Sequence, residues 1–248
     1  MGSLAIAGSV FAYTNPFTLD FNATGGESNW TETSAGSLVY AETTPPGGSP
    51  FAPQSAPGYN GTGWARLTTP QVNGVAVAYY DGTAGGSTND VTAFTIEADV
   101  FICAEATPAN RYQVGLVGSW EAADGFSPLE LFYCNNLTGY PNGYGIRGSG
   151  DSVTGGAYGM FGGVVETSNR WVGMKLEVNG TTAIGYIDRD NDGTYDMTST
   201  PVTFDGVAGK PGLFYVINDG ANAIANQFGY FDNFTYTPLS AVADWSIY

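Results

Sequence analysis

The most informative absence in this 248-residue sequence is histidine, of which there is none. Without an imidazole the chain cannot build a Ser-His-Asp or Cys-His catalytic set, or a metal site with a histidine ligand. Positive charge is also scarce, because 7 lysines and arginines stand against 23 acidic residues, a formal net charge of -16. This charge repels phosphate backbones and anionic lipid, so nucleic acids and membranes are disfavoured as partners. Carboxylate chemistry remains possible.

Cysteine is nearly absent too, with only Cys103 and Cys134. Each ends a run typical of a β-strand, so we expect a disulfide between neighbouring strands if the compartment is oxidising; two buried thiols are the alternative. Asn-X-Thr sequons predict glycosylation sites. They lie at Asn22, Asn29, Asn60, Asn136, Asn179 and Asn233. Both features favour a secreted protein, in the extracellular space or at a cell surface.

Sustained helical periodicity is missing, whereas many short runs alternate apolar and polar residues between clusters of Gly, Pro, Asn and Asp. We therefore predict an all-β chain. Its clearest strands are 74–80, 93–102, 112–118, 129–133, 172–178, 182–187, 212–217 and 228–236. The pair Asn179-Gly180 predicts a type I′ hairpin turn. The strands suit a two-sheet antiparallel sandwich, whose inner faces would carry Phe94, Ile96, Val114, Leu116, Met174 and Leu176.

We divide the chain into an apolar N-terminal arm (1–12), one sandwich domain (13–237) and a C-terminal tail (238–248). The arm is too short to span a bilayer. It is either the end of a secretory signal or a strand that must be buried on its own domain or in a groove of a neighbouring subunit. The arm residues for such an assembly contact are Leu4, Ile6, Val10 and Phe11.

Three segments, 94–101, 170–196 and 211–236, together resemble the concanavalin A-like lectin/glucanase superfamily in its laminin-G-like jelly-roll branch. The resemblance implies a jelly-roll fold and a function among sugar-binding modules, adhesion domains and glucanases. Glucanases of this fold use a strand motif Glu-x-Asp-x-(x)-Glu. Here Glu97 and Asp99 are followed by Phe101 and Ile102 where the last acid should stand, so we expect no enzyme. We interpret Glu97 and Asp99 as ordinary outward residues of a strand.

Residues 187–196 read IDRDNDGTYD, a cluster of aspartates in an already acidic chain. The spacing resembles the Asp-x-Asp-x-Asp-Gly loops of EF-hands, dockerins and thrombospondin repeats, with Gly193 at the sharp turn. It departs from them at the last position, where Ser199 replaces the bidentate Glu. We predict a structural calcium site, the alternative being a solvated hairpin turn. The predicted ligands are Asp188, Asp190, Asp192, the backbone carbonyl of Thr194, and Asp196.

The segment 135–163 is crowded with glycine and dotted with aromatic residues. Flat rings stack on sugar faces and polar side chains bind sugar hydroxyls, so the segment predicts a carbohydrate site. Its candidate residues are Tyr140, Tyr144, Arg147, Asp151 and Tyr158. The same tyrosines could instead cover sheet edges or form subunit contacts.

These observations favour a secreted, non-enzymatic structural protein. In this hypothesis a calcium-binding jelly roll polymerises head to tail into a fibre by lending its N-terminal strand to the next copy. The alternative is a lectin-like carbohydrate-binding or adhesion module. The partners would be copies of the chain itself in the first case and glycans in the second, without nucleic acid or membrane insertion.

Light scattering tests the self-assembly hypothesis. With calcium present, the intact chain should form large assemblies, whereas a variant beginning at Tyr13 should be monomeric because it has lost the donated strand. Monomers of equal compactness for both chains would contradict assembly through the arm.

Overall fold

The structure, a computed structural model, describes residues 17–32, 37–45, 52–68, 73–80, 93–104, 112–119, 129–135, 142–148, 157–204, 211–218 and 228–239. Within these ranges the chain forms two antiparallel sheets, together with two single 3-10 turns at Glu27–Asn29 and Pro53–Ser55. No helix in the described ranges is long and apolar enough to cross a membrane.

Sheet A has nine strands in the described part of the chain, in the order β13-β12-β11-β6-β16-β4-β3, with β1 paired to β16 and β14 paired to β12. The strands are Phe17–Leu19 (β1), Ser37–Glu42 (β3), Trp64–Thr68 (β4), Ala93–Ile102 (β6), Arg170–Asn179 (β11), Thr182–Asp188 (β12), Met197–Thr198 (β13), Val202–Thr203 (β14) and Gly229–Pro238 (β16). The centre of this sheet, β12-β11-β6-β16, carries the site described below.

Sheet B has seven described strands in the order β10-β9-β8-β7-β15-β5-β2. They are Trp30–Glu32 (β2), Asn73–Tyr80 (β5), Tyr112–Ser119 (β7), Leu129–Asn135 (β8), Gly143–Gly148 (β9), Ala157–Met160 (β10) and Gly212–Asn218 (β15). Each strand predicted from the alternating pattern is present in one of the two sheets, with small differences at its ends. The prediction of an all-β, two-sheet antiparallel sandwich is therefore confirmed.

The core lies between the sheets, where alternate side chains of both converge. The six residues predicted for the inner faces are all buried there: Phe94, Ile96, Val114, Leu116, Met174 and Leu176. Trp171 is also fully buried, and its indole Nε1 donates a hydrogen bond to the carbonyl of Pro53 at 2.8 Å. This bond ties the long connection before β4 to the edge of the core.

The predicted disulfide is wrong, because the structure leaves both cysteines as buried thiols. Cys103 follows β6 in sheet A and packs in the core between the sheets. Cys134 belongs to β8 in sheet B and faces the other side of that sheet, in a second apolar cluster with Val77, Phe132 and Phe214. The two thiols therefore lie on opposite faces of sheet B and do not meet.

The hairpin between β11 and β12 differs by one residue from the predicted turn. Asn179 pairs with Thr182 as the last rung of the ladder, so Gly180 and Thr181 form the two-residue turn. Gly180 has a positive φ of 61°, whereas neither Asn179 nor Thr181 is among the described residues with positive φ. A type I′ turn needs positive φ at both central residues, and glycine at the first alone is typical of type II′.

Candidate functional site

Four neighbouring strands of sheet A place three aspartates in one row on its outer face. Asp188 of β12 lies opposite Gly173 of β11, Gly173 lies opposite Asp99 of β6, and Asp99 lies opposite Asp232 of β16. Directly opposed side chains of antiparallel strands lie on one face with Cβ atoms about 4.5–5.5 Å apart, and like charges there are destabilising. The row therefore needs protons, hydrogen-bond donors or a cation.

Two asparagine amides supply donors to the middle of this row. The Nδ2 of Asn233 donates to Asp99 Oδ2 at 2.7 Å, while its backbone N–H donates to Asp232 Oδ1 at 2.9 Å. Asn233 has a φ of 51° and lies in the bulge between Asp232 and Thr235. Asparagine tolerates this left-handed conformation better than most residues. Asn191, across the row, also hydrogen-bonds Asp99.

Burial favours the neutral form of two of these acids. Desolvation raises the pKa of Asp232 to about 7, and repulsion from Asp99 and Asp20 adds to this effect. Desolvation also raises the pKa of Asp99, where repulsion from Asp188 adds to it and the asparagine hydrogen bonds oppose it. Asp232 is 1% exposed, and its Oδ2 has no hydrogen-bond partner among the described residues. The pair thus tends to keep a proton near neutral pH.

The loop of residues 57–63, here called the glycine loop, covers the Asp232 end of the row. A Cβ on Gly61 would stand 2.0 Å from Asp232 Oδ2, so a larger residue there would have to displace this carboxylate. Asn191 holds the loop in place through two hydrogen bonds. Its Nδ2 donates to the Gly58 carbonyl at 2.9 Å, and its backbone carbonyl accepts from Asn60 Nδ2 at 3.3 Å. Asn191 thus joins the glycine loop to the row of acids.

The aspartate loop, residues 188–196, joins β12 to β13, and Ile187 pairs with Met197 at its base. The carboxylate oxygens offered by Asp188, Asp190 and Asp196 all lie within 4.8 Å of one another. Asp188 is buried and accepts the backbone N–H groups of Asp192 and Gly193 at 3.2 and 2.6 Å, whereas Asp190 and Asp196 are exposed. Three of the predicted ligands therefore converge.

Other parts of the predicted calcium pattern are used differently. Asp192 lies outside the converging group and accepts the backbone N–H of Thr194 at 2.8 Å, as an aspartate does in an Asx-turn. Ser199, at the position of the last EF-hand ligand, accepts the N–H of Gly185 at 2.9 Å through its Oγ. The described donor set is thus smaller than that of an EF-hand.

The three converging carboxylates nevertheless fit a calcium ion. They are hard oxygen donors, and Ca²⁺ takes six to eight such ligands, some of which can be water. Loss of hydration raises the pKa of Asp190, and repulsion from Asp192, Asp196 and Asp188 raises it further. That repulsion is what a bound cation would relieve.

A cleft of about 230 Å³ opens between the row of acids and the aspartate loop. We call it the acidic cleft; its polar and aromatic lining is Glu97, Asp99, Asp188, Asn191, Tyr195, Asn233 and Thr235. The hydroxyl of Tyr195 donates to Glu97 Oε2 at 2.9 Å. Nearby, the Nζ of Lys175 lies 4.3 and 4.4 Å from the ring centroids of Tyr186 and Tyr195, so this cation stacks on rings.

The sugar site predicted in segment 135–163 is not supported where its residues are described. Tyr144 is fully buried and donates from its hydroxyl to Glu166 Oε1 at 2.9 Å. Arg147, three residues on, points to the other face of β9 and is also buried, 3.7 Å from Glu130. Neither side chain is accessible to a sugar. Tyr140, Asp151 and the side chain of Tyr158 lie outside the described residues.

The remaining predicted sites are only partly within the described chain. The arm residues Leu4, Ile6, Val10 and Phe11 lie outside it, as does the sequon residue Asn136. Of the other sequon residues, Asn22, Asn60 and Asn179 are exposed and Asn29 is half-buried. Asn233 is also half-buried, and its Nδ2 already donates to Asp99, so a glycan there would disrupt the acidic cleft.

Sequence reasoning placed Glu97 and Asp99 correctly on the outer face but missed that they line a cleft. The signal was present, since two acids at alternate positions of one strand must share a face. Asn191 lies inside the aspartate loop, and the sequence marks Asn233 only as part of a sequon. Their meeting depends on strand register and on a bulge, which the pattern of apolar residues does not encode.

The sequence matches no family profile and no curated protein. Solved structures, however, match almost the whole chain. The exoplasmic/lumenal domain of VIP36, in a form with Ca²⁺ and Man3GlcNAc bound, superposes with a TM-score of 0.52 at 9% identity, covering 92% of this chain and 90% of its own. Lectin II from Ulex europaeus gives 0.52 at 10% identity, covering 90% and 97%. The chain has the concanavalin A-like jelly-roll fold.

A third jelly roll is the CBM2 module of the evolved Dit protein of Lactobacillus casei BL23 phage J-1. It superposes with a TM-score of 0.52 at 11% identity, covering 90% of this chain and 96% of the module. The jelly-roll fold implied by the resemblance of segments 94–101, 170–196 and 211–236 is thus confirmed. Identities this low establish a shared fold, and the function has to be argued from the site.

The raised pKa of Asp232 predicts how stability changes with pH. Because its pKa is near 3.9 unfolded and about 7 folded, the native state binds the extra proton in between. The stabilisation that this proton gives the native state is therefore full below the unfolded pKa and is lost as pH rises through 7. The free energy of unfolding falls over this range by up to about 1.4 kcal/mol per pH unit. Asp232→Asn should remove this component from urea-unfolding free energies measured with chelator between pH 4 and 8.

Asp192→Asn is the matched control, because Asp192 is exposed and outside the row. Its pH profile should keep the loss of stability towards pH 7 that Asp232→Asn removes. A profile of Asp232→Asn that is parallel to that of the wild type would show that Asp232 is ionised throughout this range.

Proposed function

We propose that the protein binds carbohydrate in the acidic cleft, with calcium held by the aspartate loop beside it. The observation that carries this proposal is the meeting of the Tyr195 ring, the Asn191 and Asn233 side chains and the Asp99 carboxylate in one cleft. Sugar hydroxyls both donate and accept hydrogen bonds, so carboxylate acceptors beside amide groups match them. An aromatic ring at the same place can pack against an apolar sugar face.

The size of the cleft also suits a sugar. A volume of about 230 Å³ is smaller than most pockets for drug-sized ligands, which span roughly 300–1,000 Å³. It therefore suits one sugar ring, or the end of a longer glycan whose other residues remain in solvent. The carboxylates favour neutral sugars over uronic or sialic acids, because an anionic sugar would face Glu97, Asp99 and Asp188.

The structural neighbours support this proposal better than they support the fibre hypothesis. The VIP36 domain binds Ca²⁺ together with a mannose-containing glycan. The other two neighbours are named as a lectin and as a CBM2 module. We propose, by analogy with the exoplasmic/lumenal VIP36 domain, that this chain also works outside the cytosol. Self-assembly through the arm stays a prediction.

We further propose binding without turnover. Glucanases of this fold use both the first and the last acid of the motif Glu-x-Asp-x-(x)-Glu to cleave the glycosidic bond. Phe101 and Ile102, where the glucanase motif would place its last acid, are 1% and 0% exposed. Asp232, the acid paired with Asp99, is buried beneath the glycine loop. Glu97 and Asp99 thus line the cleft without the last acid of the glucanase motif, and Asp232 is too deeply buried to replace it.

Calcium would act on the shape and charge of the cleft. Asp188 lines the cleft and also belongs to the converging carboxylates of the aspartate loop. An ion bound by Asp188, Asp190 and Asp196 would neutralise part of the negative charge next to Asp99 and stiffen the loop that carries Asn191 and Tyr195. Sugar binding should therefore depend on calcium through these residues.

Binding to an array of neutral glycans in the presence of calcium tests the cleft. Tyr195→Ala and Asp99→Ala should each weaken binding about tenfold or more, because one removes the stacking ring and the other the central acceptor. Glu177→Gln is the control, since Glu177 lies on the outer face of β11 but outside the cleft lining. No binding by the wild type, or full binding by both cleft variants, would contradict the proposal.

Thermal unfolding with calcium or with chelator tests the aspartate loop. A millimolar calcium concentration should raise the Tm of the wild type, because a ligand of the folded state stabilises it. Asp190→Asn should abolish most of this rise, whereas Asp192→Asn should keep it, since only Asp190 belongs to the converging carboxylates. If both variants lose the calcium-induced rise in Tm equally, the result would instead support the EF-hand-like ligand set. If calcium does not raise the Tm of the wild type, a calcium site here is excluded.

A further inference from the structure

Arg189 is the one positive residue in the aspartate loop, and it stands between Asp188 and Asp190 in the sequence. Arginine pairs strongly with carboxylates through its planar guanidinium. A guanidinium inserted among Asp188, Asp190 and Asp196 would neutralise them and compete with a divalent cation. The direction of this side chain therefore decides whether the loop is available to calcium.

The guanidinium is paired with Glu166, which lies outside the aspartate loop. Arg189 Nε donates to Glu166 Oε1 at 2.8 Å, and Nη2 donates to Oε2 at 3.1 Å, a two-pronged pairing. Arg189 touches the loop acids through its backbone instead, because its N–H donates to Asp196 Oδ2 at 2.8 Å. The main chain thus helps to place Asp196 while the positive charge is directed elsewhere.

Glu166 is itself fixed from several directions. Its side chain is 3% exposed, its Oε1 accepts the Tyr144 hydroxyl at 2.9 Å, and its backbone N–H donates to the Tyr133 hydroxyl at 3.1 Å. Arg170 Nη1 lies 3.4 Å from Oε2. Burial alone would raise the pKa of Glu166, but the hydrogen bonds from Arg189 and Tyr144 and the nearby positive charges lower it overall. It is therefore an anion at neutral pH.

We propose that Glu166 is a positioning residue for calcium binding: by clamping the Arg189 guanidinium, it keeps positive charge out of the group formed by Asp188, Asp190 and Asp196. This inference rests on the proposed calcium site. It assigns a specific role to a buried acid outside the aspartate loop. It also explains why an arginine is tolerated between two ligand aspartates.

Calorimetric titration of the 248-residue chain with calcium chloride tests the clamp. Glu166→Gln should lower the calcium affinity about tenfold or more, the range found for residues that orient metal ligands, because the released guanidinium competes for the carboxylates. Adding Arg189→Gln to this variant should restore most of the affinity by removing the competing charge. Arg170→Gln is the control: it removes the other cation near Glu166, and should leave the affinity unchanged.

The outcomes separate the clamp from a purely structural role. An affinity loss in Glu166→Gln that Arg189→Gln does not restore would mean that the loop is merely distorted, and would overturn the proposal, as would an unchanged affinity in Glu166→Gln. If Glu166→Gln does not fold, Arg189→Gln alone decides, since it should bind calcium at least as tightly as the wild type. A wild type that binds no calcium refutes the calcium site itself, which distinguishes that failure from failure of the clamp.

Discussion

Repulsion between carboxylates on the outer face of sheet A is the constraint on which the site depends. The chain has a net charge of -16, and register brings Asp188, Asp99 and Asp232 into a single row across four strands. The sheet cannot move these groups apart without breaking the hydrogen bonds between its strands, so each negative charge has to be compensated in place. The protons, hydrogen-bond donors and loop around the row compensate these charges.

The repulsion is relieved differently at the two ends and in the middle of the row. At the Asp232 end, burial under the glycine loop favours a proton, as the pKa of about 7 indicates. In the middle, Asn233 and Asn191 hydrogen-bond Asp99. At the Asp188 end, backbone N–H groups and the neighbouring loop acids create a site that fits a cation. The cleft lies over the middle and the Asp188 end, where polar groups still face solvent, and this is the physical basis for the proposed sugar site.

The strands and the inner core were predictable from the sequence because alternation directly reports which residues a sheet buries. Phe94, Ile96, Met174 and Leu176 show this most plainly. The converging part of the aspartate loop was predictable for a related reason, since ligands close in sequence need only a local turn to meet.

Features that depend on long-range register were not predictable. Glu166 meets Arg189 only because the chain before β11 packs beside the aspartate loop, and no local pattern announces that contact. Cys103 and Cys134 ended similar strand-like runs, but sequence alone could not say that their strands belong to different sheets. Tyr144 failed as a sugar ligand because a tyrosine flanked by glycines can pack inward as readily as outward. Conversely, Asn233 required a bulge to reach Asp99.

The most direct test of the account is an anomalous diffraction map from crystals grown with calcium and then soaked in a lanthanide that replaces it. We expect a peak within about 2.3–2.6 Å of carboxylate oxygens from Asp188, Asp190 and Asp196, with the Arg189 guanidinium still on Glu166. A guanidinium found among those three carboxylates with no peak beside them would contradict it.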